Sequence, residues 1–334
     1  MNADAIRAHL RRRDRWSILE IAFWLALLVV IFAIPSRAAL INEALVAGLF
    51  ALSLDLILGV TGVVSLGHAA FFGVGAYTAG ILANAGYDDP ILGLVAAIVP
   101  AALVGFATAP LLLRGADLTR LMVTMGVALM LGELANKNAG LTGGADGLNF
   151  SVAPLFGRFS IGSIGEGPRN AALFSLAVLF LLFTIARRLA GSPFGLSLTA
   201  VRENRLRAGA LGVSTSRRII AVYTIAAAFA GVAGALLAET TQIVSLDLFD
   251  FHRSADVLLM LIIGGAGYLY GGIIGAAIFI VLRDVISSAT PEYWEFWIGA
   301  LLVALVLVGR ERFSDHARLT LERLRRPPAW EGAA

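Results

Sequence analysis

The sequence has no cysteine and is poor in charged residues. Without a thiol, the chain can form no disulfide, no thiolate metal site and no cysteine nucleophile. Only 15% of its 334 residues are charged, whereas a typical soluble domain has about 25%. Hydrophobic residues make up 58%, and the mean hydropathy is +0.84. So few charges cannot cover a folded chain of this size in water, and we therefore expect an integral membrane protein.

Catalytic and metal-binding motifs are also missing from the sequence. It contains no HExxH, no GxSxG and no Walker lysine loop, and its histidines and carboxylates show no metal-ligand spacing. We therefore expect no catalytic residues, no metal site and no cofactor bound by this chain. The formal net charge of +3 comes from positive residues in short segments between apolar runs. That pattern is typical of membrane topology and not of nucleic-acid binding, so the expected partner is a lipid bilayer.

Nine apolar runs are candidates for membrane-spanning helices, which need about 20 mostly apolar residues. The runs cover residues 18–34, 40–59, 63–82, 91–113, 118–135, 171–186, 219–239, 257–286 and 294–308. An arginine-rich segment precedes the first run, and no small-residue cleavage pattern is evident there. We interpret this run as an uncleaved helix and not as a signal peptide.

Arginine placement predicts the orientation of these runs. Arginines concentrate at residues 7–15, 114–120, 187–218 and 310–326, whereas the other connections contain few of them and several are acidic. By the positive-inside rule, these segments and both termini are expected to be cytoplasmic. This requires run 257–286 to cross the membrane twice, or to dip in and return, with a break near Gly264-Gly265-Ala266-Gly267. Two crossings give ten in all and a re-entrant loop gives eight; we favour ten.

The predicted fold class is an all-α integral membrane protein, a polytopic helical bundle of about ten transmembrane helices with glycine-broken segments. Glycines punctuate run 63–82 and residues 264–275. Broken apolar helices in both halves of a membrane protein point to a transport path, although small residues also let intact helices pack closely. His68 and Glu133 lie deepest among the ionisable residues of the apolar runs. They would either contact a substrate or cap and pin a broken helix.

The longest basic connection, at residues 191–216, has the pattern of a surface helix. Its sequence predicts a short amphipathic helix over residues 196–211, with Leu198, Val201 and Leu206 on the apolar side and Gly212 at its end. Such a helix suits docking to a soluble partner, and it equally suits lying on anionic lipid. The residues alone leave both interpretations open.

Four stretches resemble the membrane subunits of branched-chain amino-acid ABC importers, the LivH/LivM permease family. The segment Ala200-Val201-Arg202-Glu203-Asn204 is similar to that family's coupling region, and residues 58–77 (LGVTGVVSLGHAAFFGVGAY) look like the LivM-type signature. Residues 141–147 resemble the family's external Thr-Gly-Gly-x-x-Gly turn, and residues 264–267 its Gly-Gly-x-Gly break. The resemblance runs from about residue 40 to residue 312.

The resemblance implies a type II ABC importer-like permease in the bacterial inner (plasma) membrane. A LivH-type second permease subunit would pair with this chain, two cytoplasmic ATPases of the LivG/LivF type would hydrolyse ATP with Mg, and a periplasmic substrate-binding protein would deliver branched-chain or other small amino acids. The chain would divide into a basic cytoplasmic N-terminus (1–17), a transmembrane permease domain (18–309) with its coupling loop at about 191–216, and a basic cytoplasmic tail (310–334).

Two sets of functional residues follow from the resemblance and the glycine breaks. The predicted ATPase-coupling set is Arg202, Glu203, Asn204, Leu211 and Gly212. The predicted translocation-path set is Ser65, His68, Phe71, Phe72, Tyr77, Glu133, Gly264, Gly265 and Gly267.

Two departures from the family pattern leave the substrate open. The coupling segment reads Arg-Glu-Asn-Arg-Leu-Arg, where many relatives have an acidic residue followed by Ile-Ala-Ala, and residues 117–120 lack the aromatic residue common after the family's Asp. Relatives that import urea, short amides or aromatic acids share the same signature. A stand-alone secondary transporter with Asp55, His68 or Glu133 as ion sites would explain the broken helices but not the coupling-like loop.

Overall fold

The computed structural model of the protein describes residues 17–113, 117–162, 167–294, 296–300 and 303. Several predictions fall on other residues. Residues 1–16 of the basic N-terminus, Arg114, most of the last apolar run (294–308) and the whole tail (310–334) lie outside the described residues.

The described part of the chain is almost entirely helical. Its helices are α1 (Ile18–Ala33), α2 (Ala38–Thr61), α3 (Ala69–Asn84), α4 (Pro90–Leu113), α5 (Asp117–Lys137), α6 (Ala139–Thr142), α7 (Gly167–Gly191), α8 (Pro193–Glu203), α9 (Arg205–Ala210), α10 (Thr215–Thr241), α11 (Phe251–Gly264) and α12 (Leu269–Ala289). Two short strands, β1 (Leu148–Asn149) and β2 (Ile243–Val244), pair antiparallel. Single 3₁₀ turns lie at Pro35–Arg37, Gly144–Asp146 and Leu246–Phe249.

Among the described residues, six helices are long and apolar enough to cross a membrane, namely α2 with the turn before it, α4, α5, α7, α10 and α12. Helices α1 and α3 are apolar but have only 16 residues each, and α11 has 14. A 14-residue helix is about 21 Å long, which is less than the ~30 Å hydrocarbon core. The chain is therefore a helical, multi-pass membrane protein, as predicted. Helix length supports six crossings within the described residues, and the total of ten stays a prediction.

Helices α2 and α10 form the interior of the bundle. In their most apolar windows 78% and 72% of residues are buried, compared with 17% in α5. Small residues allow this packing, because a Cβ on Gly234 of α10 would lie 2.7 Å from the carbonyl carbon of Phe72 in α3. Glycine at such a contact lets two helix backbones touch. The exposed faces of α1, α4 and α5 are rich in large apolar side chains, which is expected of surfaces that contact lipid.

The loops separate into two ends of the bundle. At the basic end, Arg187 at the end of α7 forms an ion pair of 2.8 Å with Glu20 at the start of α1. At the opposite end, β1 pairs with β2, and the Ala153 amide donates to the Asp88 carbonyl at 2.9 Å. The connections expected to be cytoplasmic therefore contact one another at the basic end, and those expected to be external contact one another at the opposite end.

The run 257–286 is broken, as predicted, and it reverses direction. The break is residues 265–268, which we call the hairpin tip, and Gly265 and Gly267 there have φ of +96° and +90°. A Cβ on Gly275 would lie 2.8 Å from the Gly264 nitrogen and 2.9 Å from the Met260 carbonyl carbon. This register makes α11 and α12 an antiparallel hairpin. The boundary between two compact units falls after Val281, within α12.

The run 63–82 is shorter as a helix than the sequence predicts. Helix α2 ends at Thr61, Gly62 follows with φ of +73°, and α3 begins only at Ala69. Residues 62–68 are therefore non-helical, and we call them the broken segment. Gly62 ends α2 because glycine occupies the left-handed region without a Cβ penalty.

Candidate functional site

The broken segment is held inside the bundle by side chains of other helices. The Leu66 amide donates to Thr124 Oγ1 of α5 at 3.3 Å, and the Ala69 amide donates to Ser254 Oγ of α11 at 3.0 Å. Thr124 and Ser254 are both buried. Non-helical backbone within a membrane protein needs such internal partners, because lipid offers none. These two hydroxyls therefore join the broken segment to α5 and α11.

His68 is packed within this segment. It is fully buried, its Nε2 lies 2.8 Å from Ser53 Oγ, and its ring stacks on Phe50 at 5.5 Å. The Ser53 hydroxyl donates to the Phe50 carbonyl at 2.6 Å, so the proton of the shared bond belongs to Nε2 of His68. Of the two roles predicted for His68, this geometry favours the pinning of a broken helix.

The other predicted path residues of this region are also buried. Ser65, Phe71, Phe72 and Tyr77 are each exposed by 5% or less. The aromatic rings pack on neighbours at centroid distances of 4.5 to 5.6 Å: Phe72 on Phe50, Phe71 on Tyr223 of α10, and Tyr77 on Phe249. The structure thus brings four of these residues and His68 into one packed region around the broken segment and α3.

Two hydroxyls in this region have no hydrogen-bond partner among the described residues. They are Ser65 Oγ and the Tyr77 hydroxyl, and both atoms are buried. Leaving a buried hydroxyl unpaired costs about 1–3 kcal/mol, so such groups are rare in a finished core. Nδ1 of His68 is a third buried polar atom of the predicted path set without a partner among the described residues.

Glu133 lies apart from this region. Its side chain is 58% exposed and forms an i,i+4 ion pair of 3.6 Å with Lys137 at the end of α5. Glu133 lies one helical turn before the end of α5, and its place in the path stays a prediction. Exposed pairs of this kind contribute only about 0.3–0.5 kcal/mol.

The remaining predicted path residues, Gly264, Gly265 and Gly267, belong to the α11–α12 hairpin. Gly264 packs against the α12 backbone, since a Cβ there would lie 2.8 Å from the Gly275 nitrogen. The Gly267 amide donates to Asp55 Oδ1 of α2 at 2.6 Å, and Asp55 is buried. The hairpin tip therefore rests on α2 at the basic end and does not join the cluster around His68.

The predicted amphipathic helix is two helices, α8 and α9, which we call the docking helices. Ser192 caps α8, with its Oγ accepting from the Gly195 amide at 3.3 Å, and Asn204 Oδ1 accepts from the Arg207 amide at 2.9 Å to cap α9. The backbone of Asn204 is extended, with φ of −158°. Asn204 thus ends one helix and begins the next, which a single-helix prediction over 196–211 missed.

An apolar seam attaches the docking helices to the bundle. Val201 and Ala208 are buried against Ile219 of α10, with Leu113 and Val213 packed around them. The guanidinium of Arg218 in α10 also lies 5.1 Å from the centre of the Phe194 ring in α8. Cation–π contacts of this kind add about 0.5–1 kcal/mol at exposed sites. The docking helices are therefore fixed on the basic end of the bundle.

The outer face of the docking helices is exposed. Leu206 and Leu211 are 88% and 78% exposed, and Glu203 and Asn204 are exposed as well. Leu206 does not share a face with the buried Leu198 and Val201, as a single helix would require, because the chain changes direction at Asn204. Gly212, with φ of +85°, follows α9 as expected. Arg202 is exposed as well, but its Nη1 donates to the Gly59 carbonyl at the end of α2.

Sequence reasoning missed three polar residues of this site and the role of a fourth. Ser53, Thr124 and Ser254 hold the broken segment, and Asp55, which was considered only as an ion site, holds the hairpin tip. Each is an isolated polar residue within or beside an apolar run, which is the signal that could have drawn attention to them.

Comparisons with known proteins cover most of the chain. The sequence model of a family described as "Branched-chain amino acid transport system / permease component" matches residues 36–306. The chain is 31% identical over 323 residues to the high-affinity branched-chain amino acid permease LivM of Salmonella typhimurium, covering 88% of this chain and 75% of LivM. It is 24% identical over 277 residues to LivH of Escherichia coli, covering 78% of this chain and 88% of LivH. A solved structure, an inward-facing conformation of a putative metal-chelate type ABC transporter, matches with a TM-score of 0.44 and 16% sequence identity. The match spans 88% of this chain and the whole of that chain, and a score this low does not establish a shared fold.

Proposed function

Because this chain belongs to the family of permease components of branched-chain amino acid transport systems, we propose that it is the LivM-type permease subunit of an ATP-binding-cassette importer. The relatives are transport permeases and not enzymes. The proposed cargo is a branched-chain amino acid or another small amino acid. The chain would bind no cofactor itself, and ATP with Mg would be hydrolysed by partner ATPases.

The observation that carries this proposal is the outer face of the docking helices. Leu206 and Leu211 are apolar and almost fully exposed, and Glu203 lies beside them on the same basic end. Two large exposed apolar side chains within six residues, rimmed by charges, are typical of a surface that binds a partner protein. The buried seam at Val201 and Ala208 holds this face rigid relative to the bundle.

We propose a topology of ten crossings in the inner membrane with both termini in the cytoplasm. The α11–α12 hairpin supports it, because the hairpin tip lies at the same end as the docking helices and each arm then crosses once. Helix α12 has 21 residues and is about 32 Å long, enough for a full crossing. Helix α11 is shorter, and the turn Leu246–Phe249 that precedes it extends the segment towards the opposite end.

The proposed partners are a LivH-type second permease, two LivG/LivF-type ATPases and a periplasmic substrate-binding protein. The second permease would pair with this chain in the membrane, and the two ATPases would dock from the cytoplasm on the outer face of the docking helices. The binding protein would meet the opposite end, where β1 and β2 pair and where the acidic loops lie.

Uptake by purified components in liposomes tests this function. We expect uptake of radiolabelled leucine when both permeases, both ATPases, the binding protein and ATP are present, and no uptake when ATP is omitted. Uptake by this chain alone under a proton gradient would refute the proposal in favour of a secondary transporter. Competition by unlabelled urea, acetamide or phenylalanine identifies the cargo within the class.

A further inference from the structure

Arg202 turns back from the docking helices into the permease. Its Nη1 donates to the Gly59 carbonyl at the end of α2, and its Cγ would lie 3.3 Å from a Cβ on Gly62. The same Nη1 would lie 3.2 Å from a Cβ on Gly267 in the hairpin tip. One side chain of α8 therefore hydrogen-bonds to the end of α2 and lies beside the tip of the α11–α12 hairpin.

The hairpin tip is held from its other side by Asp55. This carboxylate is 1% exposed, and its Oδ1 accepts from the Gly267 amide at 2.6 Å. Gly59 makes the close approach possible, since a Cβ there would lie 2.8 Å from the Gly267 nitrogen and 2.9 Å from its Cα. Gly267 thus lies between a buried carboxylate on α2 and a guanidinium on α8.

We propose that Arg202 is a positioning residue that fastens α8 to the end of α2 beside the hairpin tip, so that a displacement of the docking helices reaches α11 and α12 through the Gly59–Gly267 contact. This inference rests on the proposed function. It reassigns Arg202 from the predicted ATPase contact to a link inside the permease, and it leaves Glu203 on the outer face. A planar guanidinium suits this role, because its donors are fixed in direction and it stays charged.

The link also connects the two glycine breaks of the molecule. Ser254 of α11 accepts from the Ala69 amide at the end of the broken segment, so a movement of α11 acts on that segment directly. The route from the docking helices to the cluster around His68 is then Arg202, the hairpin tip, α11 and Ser254. Its hydrogen bonds are those of Arg202 with Gly59 and of Ser254 with Ala69, and between them Gly59 lies against the backbone of Gly267.

The test is the ratio of substrate transported to ATP hydrolysed by the complete complex in liposomes. We expect Arg202→Ala to lower this ratio about tenfold, the effect of losing one hydrogen bond from a charged donor on a two-state equilibrium. Co-purification with the ATPases and their hydrolysis rate should stay unchanged, and Arg202→Lys should give an intermediate ratio. Arg217→Ala, which removes an exposed arginine from the same end of the bundle, is the matched control and should keep the wild-type ratio.

A second measurement follows the hairpin tip without transport. The chain has no cysteine, so Ala266→Cys introduces a unique thiol into the tip. We expect Arg202→Ala to raise the rate of thiol alkylation there several-fold, while Arg217→Ala does not. This measurement also decides the matter if Arg202→Ala complexes assemble poorly, because it needs only the permease pair.

The outcomes separate the inference from the function on which it rests. A wild-type complex without ATP-dependent uptake refutes the proposed function. A wild-type complex that couples normally, together with an Arg202→Ala complex of equal coupling ratio and equal alkylation rate, refutes the link alone. Loss of ATPase binding in Arg202→Ala with an unchanged alkylation rate would return Arg202 to the docking surface and also overturn the inference.

Discussion

Reversing the charge of Glu203 should separate folding from partner binding. Glu203 is the last residue of α8, it is exposed, and its carboxylate makes no hydrogen bond or ion pair with any residue that the structure describes. Replacing it by lysine therefore removes no internal contact. A positive charge at a helix C-terminus is favourable by about 0.3–1 kcal/mol, so Glu203→Lys should leave the free energy of unfolding unchanged or slightly higher.

The docking interface should respond much more strongly to the same change. A charge that faces its own sign across an interface costs up to several kcal/mol, and a loss of only about 1.4 kcal/mol weakens binding tenfold. We therefore expect at least tenfold weaker binding of the ATPases to Glu203→Lys, and a matching fall in ATP-driven uptake.

Two assays measure these effects. Tryptophan fluorescence during thermal unfolding reports the stability of the permease, and titration of the purified ATPases onto permease in nanodiscs reports their affinity. Asp88→Lys, the same kind of charge reversal at an exposed position of the opposite end, is the matched control and should bind the ATPases normally. Wild-type affinity and wild-type uptake in Glu203→Lys would refute the assignment of this face to ATPase docking.

Three further predictions concern single residues. Asn204→Ala should destabilise α9 by about 1 kcal/mol through loss of its cap and reduce ATPase affinity in the same titration, whereas an unchanged affinity would show that α9 plays no part in docking. Glu133→Gln removes only an exposed pair with Lys137, so uptake in liposomes should stay within twofold of wild type, and abolished uptake would return Glu133 to the path. Gly264→Ala places a Cβ 2.8 Å from the Gly275 nitrogen, and overpacking of this kind costs about 1–3 kcal/mol. The unfolding temperature of the permease should therefore fall, and an unchanged temperature would contradict the prediction.

The sequence predicts the fold at the level of hydrophobic runs and charge placement. Parity of the arginine-rich loops required run 257–286 to turn back, and the structure breaks it at the predicted glycines. Gly265 and Gly267 there have positive φ, which other residues rarely adopt, so the break was visible in the residue types. The start of α3 at Ala69 could not be predicted from the sequence, because residues 63–68 belong to the same apolar run as the helix. Their conformation depends on hydrogen bonds to side chains that are distant in the sequence.

The candidate site was predictable where a motif is local and unpredictable where it depends on packing. Ser65, His68, Phe71, Phe72 and Tyr77 do come together, because they lie on one segment and the helix that follows it. Glu133 does not join them, because it lies in the last turns of α5 with its side chain exposed. The direction of Arg202 depends on the position of the hairpin tip, about 65 residues away along the chain, which no local pattern contains.

Cross-linking from Leu206 tests the central claim most directly. Because the chain has no cysteine, Leu206→Cys places a single thiol on the outer face of the docking helices, and Tyr87→Cys places one at the opposite end of the bundle. In membranes that contain the whole transport system, a thiol-reactive photo-cross-linker at position 206 should capture an ATPase subunit, identified by mass spectrometry, and the same reagent at position 87 should not. Capture of an ATPase from position 87, or lipid adducts alone at position 206, would contradict the account.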